Sequence, residues 1–126
     1  MSKTILSISG NKAMNFLLQT IFENEYHFLS SSDVFQAMHK LKSDRQISAL
    51  IVDVDFETHQ SWELIQHVKS SKLYKLPVII LATENNEMVR QKSYEYEIDE
   101  IFFKPFNPVD LIAAIKNLMS VSILSF

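Results

Sequence analysis

Residues 47–53, Ile-Ser-Ala-Leu-Ile-Val-Asp, form the densest apolar stretch of this 126-residue chain, and the stretch ends on a carboxylate. Residues 78–81, Val-Ile-Ile-Leu, form a second continuous apolar run. Short continuous runs rich in β-branched residues are typical of strands that are buried on both faces, as in a parallel sheet. The two stretches therefore predict the centre of a parallel sheet, with Asp53 at the carboxyl end of its most buried strand.

The rest of the chain alternates between short apolar runs and apolar residues at helical spacing. The remaining strands are predicted near residues 5–8, 26–29 and 101–103. The last helix has a clear beginning, because Asn107 can cap it and Pro108 suits the first helical position. Five strand–helix pairs in strict alternation predict a single doubly wound α/β domain over residues 1–126, flavodoxin-like, with strand order 2-1-3-4-5 and helices on both faces.

The composition excludes several classes of function. The chain is 47% hydrophobic and 21% charged, which is typical of a globular protein. Its net charge of -3 predicts no broad basic surface that would bind nucleic acid. Without cysteine there is no disulfide or thiolate metal site, and the single glycine, Gly10, excludes glycine-rich phosphate loops. No signal peptide or run of transmembrane length is present in the sequence, so we expect a cytoplasmic protein without membrane contact.

Candidate site residues follow the apolar runs, because ligands of open α/β sheets bind beyond the carboxyl ends of the strands. Asp53 ends the third predicted strand, and Lys104 ends the fifth at the same edge of the sheet. An unpaired buried charge is costly, so we expect Lys104 to pair with Asp53. From spacing alone, an ion pair that only satisfies the rim of the sheet is the simpler interpretation.

Four segments together resemble the receiver domains of bacterial two-component response regulators: Ile51-Val52-Asp53, Trp62-Glu63-Leu64-Ile65, residues 76–81 (Leu-Pro-Val-Ile-Ile-Leu) and Lys104-Pro105-Phe106. The resemblance covers essentially the full length, and the Lys-Pro-Phe triplet before a capped helix is its most specific part. It implies that Asp53 is the candidate acceptor of a phosphoryl group from a histidine kinase and that Lys104 contacts the phosphoryl oxygens. It also implies a cis bond before Pro105.

Several positions depart from the pattern of that family. Ser9 and Gly10 stand where the family has two adjacent acids that hold Mg²⁺. Ala82 stands where the family has a Ser or Thr that bonds the phosphoryl group, and Thr83, one residue later, is expected to point the opposite way along a strand. Ile101 replaces the aromatic switch residue of the family. We therefore expect little response of the last helix to modification of the acceptor.

The expected charge of the site also differs from that of the family. The family site combines three carboxylates with one lysine and needs Mg²⁺ to neutralise it, whereas here Asp53 and Lys104 cancel. Mg²⁺ binding is therefore expected to be weak or absent. Asp55 can supply an additional oxygen ligand beside Asp53, as can Glu57, with Asn11 as a weaker candidate. We expect Asp55 and Glu57 instead to be solvated loop residues.

The resemblance leaves three functions open. The first is an atypical receiver, or pseudo-receiver, that signals by protein–protein interaction with weak or no phosphorylation at Asp53. The second is a phospho-accepting receiver that uses Asp53, Lys104 and Asp55 with Mg²⁺, and the third is a small flavodoxin-like ligand binder. No enzyme activity is expected. The expected partner is a histidine kinase or a downstream signalling protein, and a homodimer is compatible with the sequence. The apolar tail at residues 121–126 is compatible with packing on the domain, a dimer interface or the end of a fragment.

Overall fold

The computed structural model describes residues 3–124, with side chains from Lys3 to Ser120, so the expectations for the tail at residues 121–126 lie outside the described side chains. Five strands and five helices alternate along the chain: β1 Thr4–Ile8, α1 Lys12–Phe22, β2 His27–Ser31, α2 Val34–Ser43, β3 Ile47–Asp53, α3 Thr58–Ser70, β4 Val78–Ala82, α4 Glu87–Glu95, β5 Glu100–Phe103 and α5 Pro108–Leu124. Among the described residues, no helix is long and apolar enough to cross a membrane.

The five strands form one parallel sheet in the order β2-β1-β3-β4-β5, which confirms the predicted topology. Val52 of β3 lies between Ile8 of β1 and Ile80 of β4, and Ile80 pairs in turn with Ile101 of β5. Because all strands run in the same direction, their carboxyl ends meet at one edge of the sheet. The last residue of β3 is Asp53, so the fold places this carboxylate near the middle of that edge.

The core consists of two apolar layers, one on each face of the sheet. Alternate strand residues divide between them, since Leu50, Val52 and Ile80 face one layer while Ile51 and Ile79 face the other. All five residues of β1 and all five of β4 are buried. The continuous apolar runs of the sequence are therefore explained by strands that bury both of their faces.

Local polar contacts determine where the helices begin, and with them the loops at the carboxyl edge. Asn11, Asp33 and Asn86 each accept a hydrogen bond from a backbone N–H in the first turn of α1, α2 and α4. Such caps satisfy donors that a helix leaves free at its start. Helix α3 begins differently, after Glu57, whose backbone has a φ of 47° in the left-handed region.

Truncation of Ile80 tests the assignment of the core. Ile80 is fully buried in β4, so Ile80→Ala should lower the free energy of unfolding by about 2–5 kcal/mol. The control Phe35→Ala removes a side chain that is 74% exposed, and it should change the free energy by less than about 0.5 kcal/mol. Urea unfolding followed by the fluorescence of Trp62, which is buried, measures both variants. Equal losses would contradict the assignment.

Candidate functional site

Five polar residues meet at the carboxyl edge of the sheet and form one hydrogen-bonded chain. Ser9 follows β1, Asp53 ends β3, Asp55 follows β3, Thr83 follows β4 and Lys104 follows β5. The order of the side-chain contacts is Ser9, Asp53, Lys104, Asp55 and Thr83. We call these five residues the strand-edge network.

Asp53 is the most buried charged residue of the strand-edge network, with only 2% of its surface exposed. Its Oδ1 accepts hydrogen bonds from Lys104 Nζ at 2.8 Å and from the backbone N–H of Asp55 at 3.1 Å. Its Oδ2 accepts a hydrogen bond from Ser9 Oγ at 2.8 Å. The predicted pairing with Lys104 is thus present, and both carboxylate oxygens have donors, as a buried charge requires.

Ser9 replaces an acid of the family pattern with a donor to Asp53. The residue is fully buried, and its hydroxyl oxygen also accepts a hydrogen bond from the N–H of Asn11 at 3.1 Å. A serine hydroxyl has one proton, and here that proton is used on the Asp53 carboxylate. An acid at this position would repel Asp53, whereas Ser9 stabilises it. The sequence identified Ser9 only as a departure from the family and did not predict this bond.

Gly10 lies beneath the ring of Phe56, a residue that the sequence analysis did not single out. A Cβ atom built on Gly10 would overlap three ring atoms of Phe56. Any larger residue at position 10 therefore requires the ring to move. The single glycine of the chain was the available signal, but the contact that explains it comes from the loop between β3 and α3.

Asp55 is an exposed loop residue, as expected, but its carboxylate also contacts two other strand ends, which the sequence did not predict. Its Oδ2 accepts hydrogen bonds from Thr83 Oγ1 at 2.6 Å and from Lys104 Nζ at 2.9 Å, and its Oδ1 accepts one from the N–H of Thr83 at 3.2 Å. Partial burial alone would raise the pKa of Asp55, but the hydrogen bonds from Thr83 and Lys104 outweigh it. The pKa of Asp55 is therefore lowered, and the carboxylate is held in its charged form.

The end of β4 supplies a hydroxyl one residue later than the family pattern does. Ala82 is the last residue of the strand and is buried. Thr83 lies in the bend that follows, where the alternation of a strand no longer applies. The expectation that its side chain points away from the site was wrong for this reason. Ile101, at the position of the aromatic switch residue, is half-buried and packs against the core.

Lys104 joins the two carboxylates of the strand-edge network. Its backbone N–H donates to the carbonyl of Ala82 at 2.9 Å, and the peptide bond to Pro105 is cis. Burial would lower the pKa of Lys104, but hydrogen bonds and charge interactions with Asp53 and Asp55 raise it above its ordinary value. The ammonium group is therefore held in its charged form between two anions.

Glu57 and Asn11, the further candidate ligands, both bind helix N-termini. Glu57 Oε1 accepts a hydrogen bond from the N–H of Val34 at 3.1 Å, at the first residue of α2. Asn11 Oδ1 accepts one from the N–H of Met14 at 3.1 Å in α1. Glu57 is half-buried and bonded to α2, so it is not the solvated loop residue that the sequence predicted. Both side chains are explained by helix capping, because their oxygens accept hydrogen bonds from helix N-termini.

The residues around Asp53 do not fit the Mg²⁺ ion that the resemblance implies. Mg²⁺ requires several free oxygen ligands in near-octahedral geometry. Here the oxygens of Asp53 and Asp55 accept bonds from protein donors, and the ammonium group of Lys104 lies between them. Within the part of the chain that the structure describes, no three His, Asp or Glu side chains are placed to hold a metal. A divalent cation at Asp53 would compete with Lys104 for these oxygens.

Comparison with known proteins links this geometry to one family. A family model described as the response regulator receiver domain matches residues 5–116. The response regulator GtcR of Aneurinibacillus migulanus is 30% identical over 117 residues, which are 92% of this chain and 47% of that protein. The two-component response regulator ARR8 of Arabidopsis thaliana is 26% identical over 116 residues, which are 91% of this chain and 49% of that protein. The chain thus spans about half the length of these curated relatives.

Solved structures share the same architecture. The CheY-like response regulator receiver domain protein of Methanospirillum hungatei superposes with a TM-score of 0.87 at 19% identity, over 100% of both chains. The chemotaxis protein CheY4 of Vibrio cholerae gives a TM-score of 0.84 at 20% identity, over 94% of this chain and 99% of that chain. At these identities the likeness establishes the fold alone, and it confirms the flavodoxin-like architecture.

The lowered pKa of Asp55 predicts that its contribution to stability depends on pH. A carboxylate whose pKa is lower in the folded than in the unfolded chain stabilises the fold above its unfolded value, which is 3.8 for Asp. That contribution is lost as the pH falls through the folded pKa. The difference in unfolding free energy between wild type and Asp55→Asn, measured in urea, should therefore shrink from pH 7 to pH 3. It should be modest, because the Asp55 side chain is 37% exposed. An equal difference at both pH values would contradict the prediction.

The contact between Gly10 and Phe56 predicts coupled mutations. Gly10→Ala should lower the free energy of unfolding by about 1–3 kcal/mol, because the added methyl group displaces the Phe56 ring. In a Phe56→Ala background the same change should cost less, with a coupling energy of about 1 kcal/mol. Urea unfolding of the four proteins of this double-mutant cycle measures the coupling. A cost that does not depend on the background would show that Phe56 is not the obstacle.

Proposed function

The chain belongs to the response regulator receiver domain family, and we propose that it is an atypical receiver that signals by protein–protein contact, with little or no phosphorylation of Asp53. The observation that carries the proposal is that both carboxylate oxygens of Asp53 accept hydrogen bonds from the protein. Ser9, Lys104 and the N–H of Asp55 together occupy both carboxylate oxygens. An oxygen that is buried and hydrogen-bonded is a poor nucleophile, because it must lose these bonds before it attacks.

Charge also supports weak phosphoryl transfer. Transfer of a phosphoryl group depends on cationic charge that stabilises its oxygens. Asp53, Asp55 and Lys104 together carry a formal charge of -1, so the cation of the network is already shared between two anions. An anionic phosphodonor that approaches this edge meets an excess of negative charge. We propose on the same grounds that Mg²⁺ binding is weak or absent and that the chain has no enzyme activity.

Receiver domains interact with histidine kinases or other signalling proteins, and we propose that this chain is cytoplasmic and that its partner is a histidine kinase or a downstream signalling protein. Exposed apolar side chains on α4 and at the start of α5 support a protein contact there. Tyr94 is 88% exposed, and Met88 and Val109 are also exposed. These side chains are the ones on α4 and α5 that a protein partner would cover.

The phospho-accepting alternative has one observation in its favour. Lys104 contacts Asp53 directly, and the hydroxyl of Thr83 lies two contacts beyond Lys104 in the strand-edge network, where it is bonded to Asp55. A cation and a hydroxyl near the acceptor are groups that stabilise phosphoryl oxygens. The two functions differ in whether the hydrogen bonds on Asp53 open for a phosphodonor. Formation of a phosphoryl adduct on Asp53 measures this difference.

Intact mass after incubation with phosphoramidate, with and without Mg²⁺, tests the proposal. Acceptance would form a P–O bond to an Asp53 oxygen and break the P–N bond of the donor, and the nitrogen would leave as ammonia. We expect no adduct on wild type beyond that on the control Asp53→Asn, because both Asp53 oxygens are occupied. The triple variant Ser9→Asp, Gly10→Asp, Phe56→Ala restores two acids and makes room for them, so it should gain an adduct that depends on Mg²⁺.

An adduct on wild type that disappears in Asp53→Asn would refute the proposed function and establish the phospho-accepting alternative. Dependence of that adduct on Mg²⁺ would further show that a divalent cation displaces Lys104 from the carboxylates. The same samples, observed by NMR, report whether the last helix responds to the modification.

A further inference from the structure

Asp55 is the residue that ties three strand ends together. It follows β3, and it accepts hydrogen bonds from the hydroxyl and the N–H of Thr83 after β4 and from the ammonium group of Lys104 after β5. The last hydrogen bond between β4 and β5 is the one that Ala82 accepts from Lys104. Beyond it, the Asp55 carboxylate joins the segments that follow β3, β4 and β5. Bonds from charged or well-placed donors to a carboxylate are among the stronger hydrogen bonds of a protein.

The presence of Asp55 is not explained by the charge of Lys104 alone. Lys104 already has an anionic partner, because its Nζ lies 2.8 Å from Asp53. A second carboxylate on the same ammonium group adds repulsion between the two aspartates. Three donors nevertheless converge on the second carboxylate, two of them from Thr83. The ends of β4 and β5 thus present a set of donors that suits a small oxyanion, and Asp55 fills it.

We propose that Asp55 is an internal anion that occupies Lys104 and Thr83 in place of an external oxyanion and thereby holds the loop between β4 and α4 in one arrangement. The inference rests on the proposed function, since it explains how the domain keeps one state when Asp53 is not modified. It assigns to Lys104 Nζ and Thr83 Oγ1 a latent site for a small tetrahedral oxyanion. Asp55 acts on this site as a competitor and as a positioning residue.

The structure links the Asp55–Thr83 bonds to helix α4. Asn86, three residues after Thr83, caps α4 by accepting a hydrogen bond from the N–H of Val89 at 2.9 Å. A cavity of about 180 Å³ lies between the loop after β3 and the start of α4, and Asp55 and Thr83 both line it. The bonds between them join the loop after β3 to the loop after β4. Their loss should therefore loosen the residues from Thr83 to the first turn of α4.

Two variants of Asp55 and a matched control test the inference. Asp55→Ala removes the carboxylate, and Asp55→Asn keeps its shape without the charge. The control Asp99→Ala removes another carboxylate that accepts bonds from a lysine and a backbone N–H, those of Lys69 and Val78. That carboxylate lies at the opposite edge of the sheet. Amide hydrogen exchange and NMR chemical shifts are measured for all four proteins, first without added anion and then with inorganic phosphate against chloride at equal ionic strength.

Without added anion, amide exchange at Thr83 should accelerate by about tenfold in Asp55→Ala and stay unchanged in Asp99→Ala, because only the first variant loses the acceptor of that N–H. Inorganic phosphate should then shift the resonances of Thr83 and Lys104 saturably in Asp55→Ala, more weakly in Asp55→Asn, and not in wild type or Asp99→Ala. Slower exchange at Thr83 with phosphate than with chloride would show that the external anion replaces the internal one.

Two results would overturn the inference. Unchanged exchange at Thr83 in both Asp55 variants would show that the carboxylate does not hold the loop. An equal phosphate response in wild type and Asp55→Ala would show that Asp55 does not compete for the donors. Neither measurement uses a phosphodonor, so failure here is distinct from failure of the proposed function, which would appear as an Asp53-dependent adduct on wild type.

Discussion

A carboxylate at the buried end of a central strand is the constraint on which this site depends. Asp53 is carried to its position by β3, which burial on both faces keeps in the middle of the sheet. At 2% exposure it cannot rely on water, so the protein must supply donors to its oxygens. Ser9 reaches it from the adjacent strand β1. Strand β4 separates β3 from β5, so the donor from β5 has to be long, and Lys104 meets that requirement.

This solution has a chemical consequence. A receiver that needs Mg²⁺ keeps carboxylate charge uncompensated, so that the cation can bind. Here Ser9 donates a hydrogen bond where an acid would add charge, and Lys104 lies between Asp53 and Asp55. The ion pairs and hydrogen bonds that stabilise buried Asp53 are the same contacts that a phosphodonor would have to open. Under the proposed function, the contacts that stabilise the strand end thus also limit reaction at Asp53.

The sequence was sufficient for the fold and for one contact of the site. Apolar periodicity determines which residues face the core, and strict alternation of strands and helices leaves little choice of topology. Asp53 and Lys104 could be paired because both end strands, where position along the sheet edge follows from the order of the strands. Beyond the strand ends, the alternation of side chains along a strand no longer predicts where a side chain points. The directions of Asp55, Phe56 and Thr83 depend on how the loops turn, and no period in the sequence describes a loop.

The departures from the family pattern also compensate for one another, which a comparison position by position does not reveal. The hydroxyl that is absent at Ala82 is present at Thr83, one residue later and bonded to Asp55 rather than directed at Asp53. The space that a side chain at Gly10 would fill is taken by the ring of Phe56, from the same loop as Asp55. Each departure, taken alone, looks like the loss of a family residue. Together these positions belong to one set of contacts around Asp53 and Asp55. Both carboxylates of this arrangement already have protein donors. Under the proposed function the domain therefore does not depend on a phosphoryl group to complete the site, and it transmits information through its surface contacts.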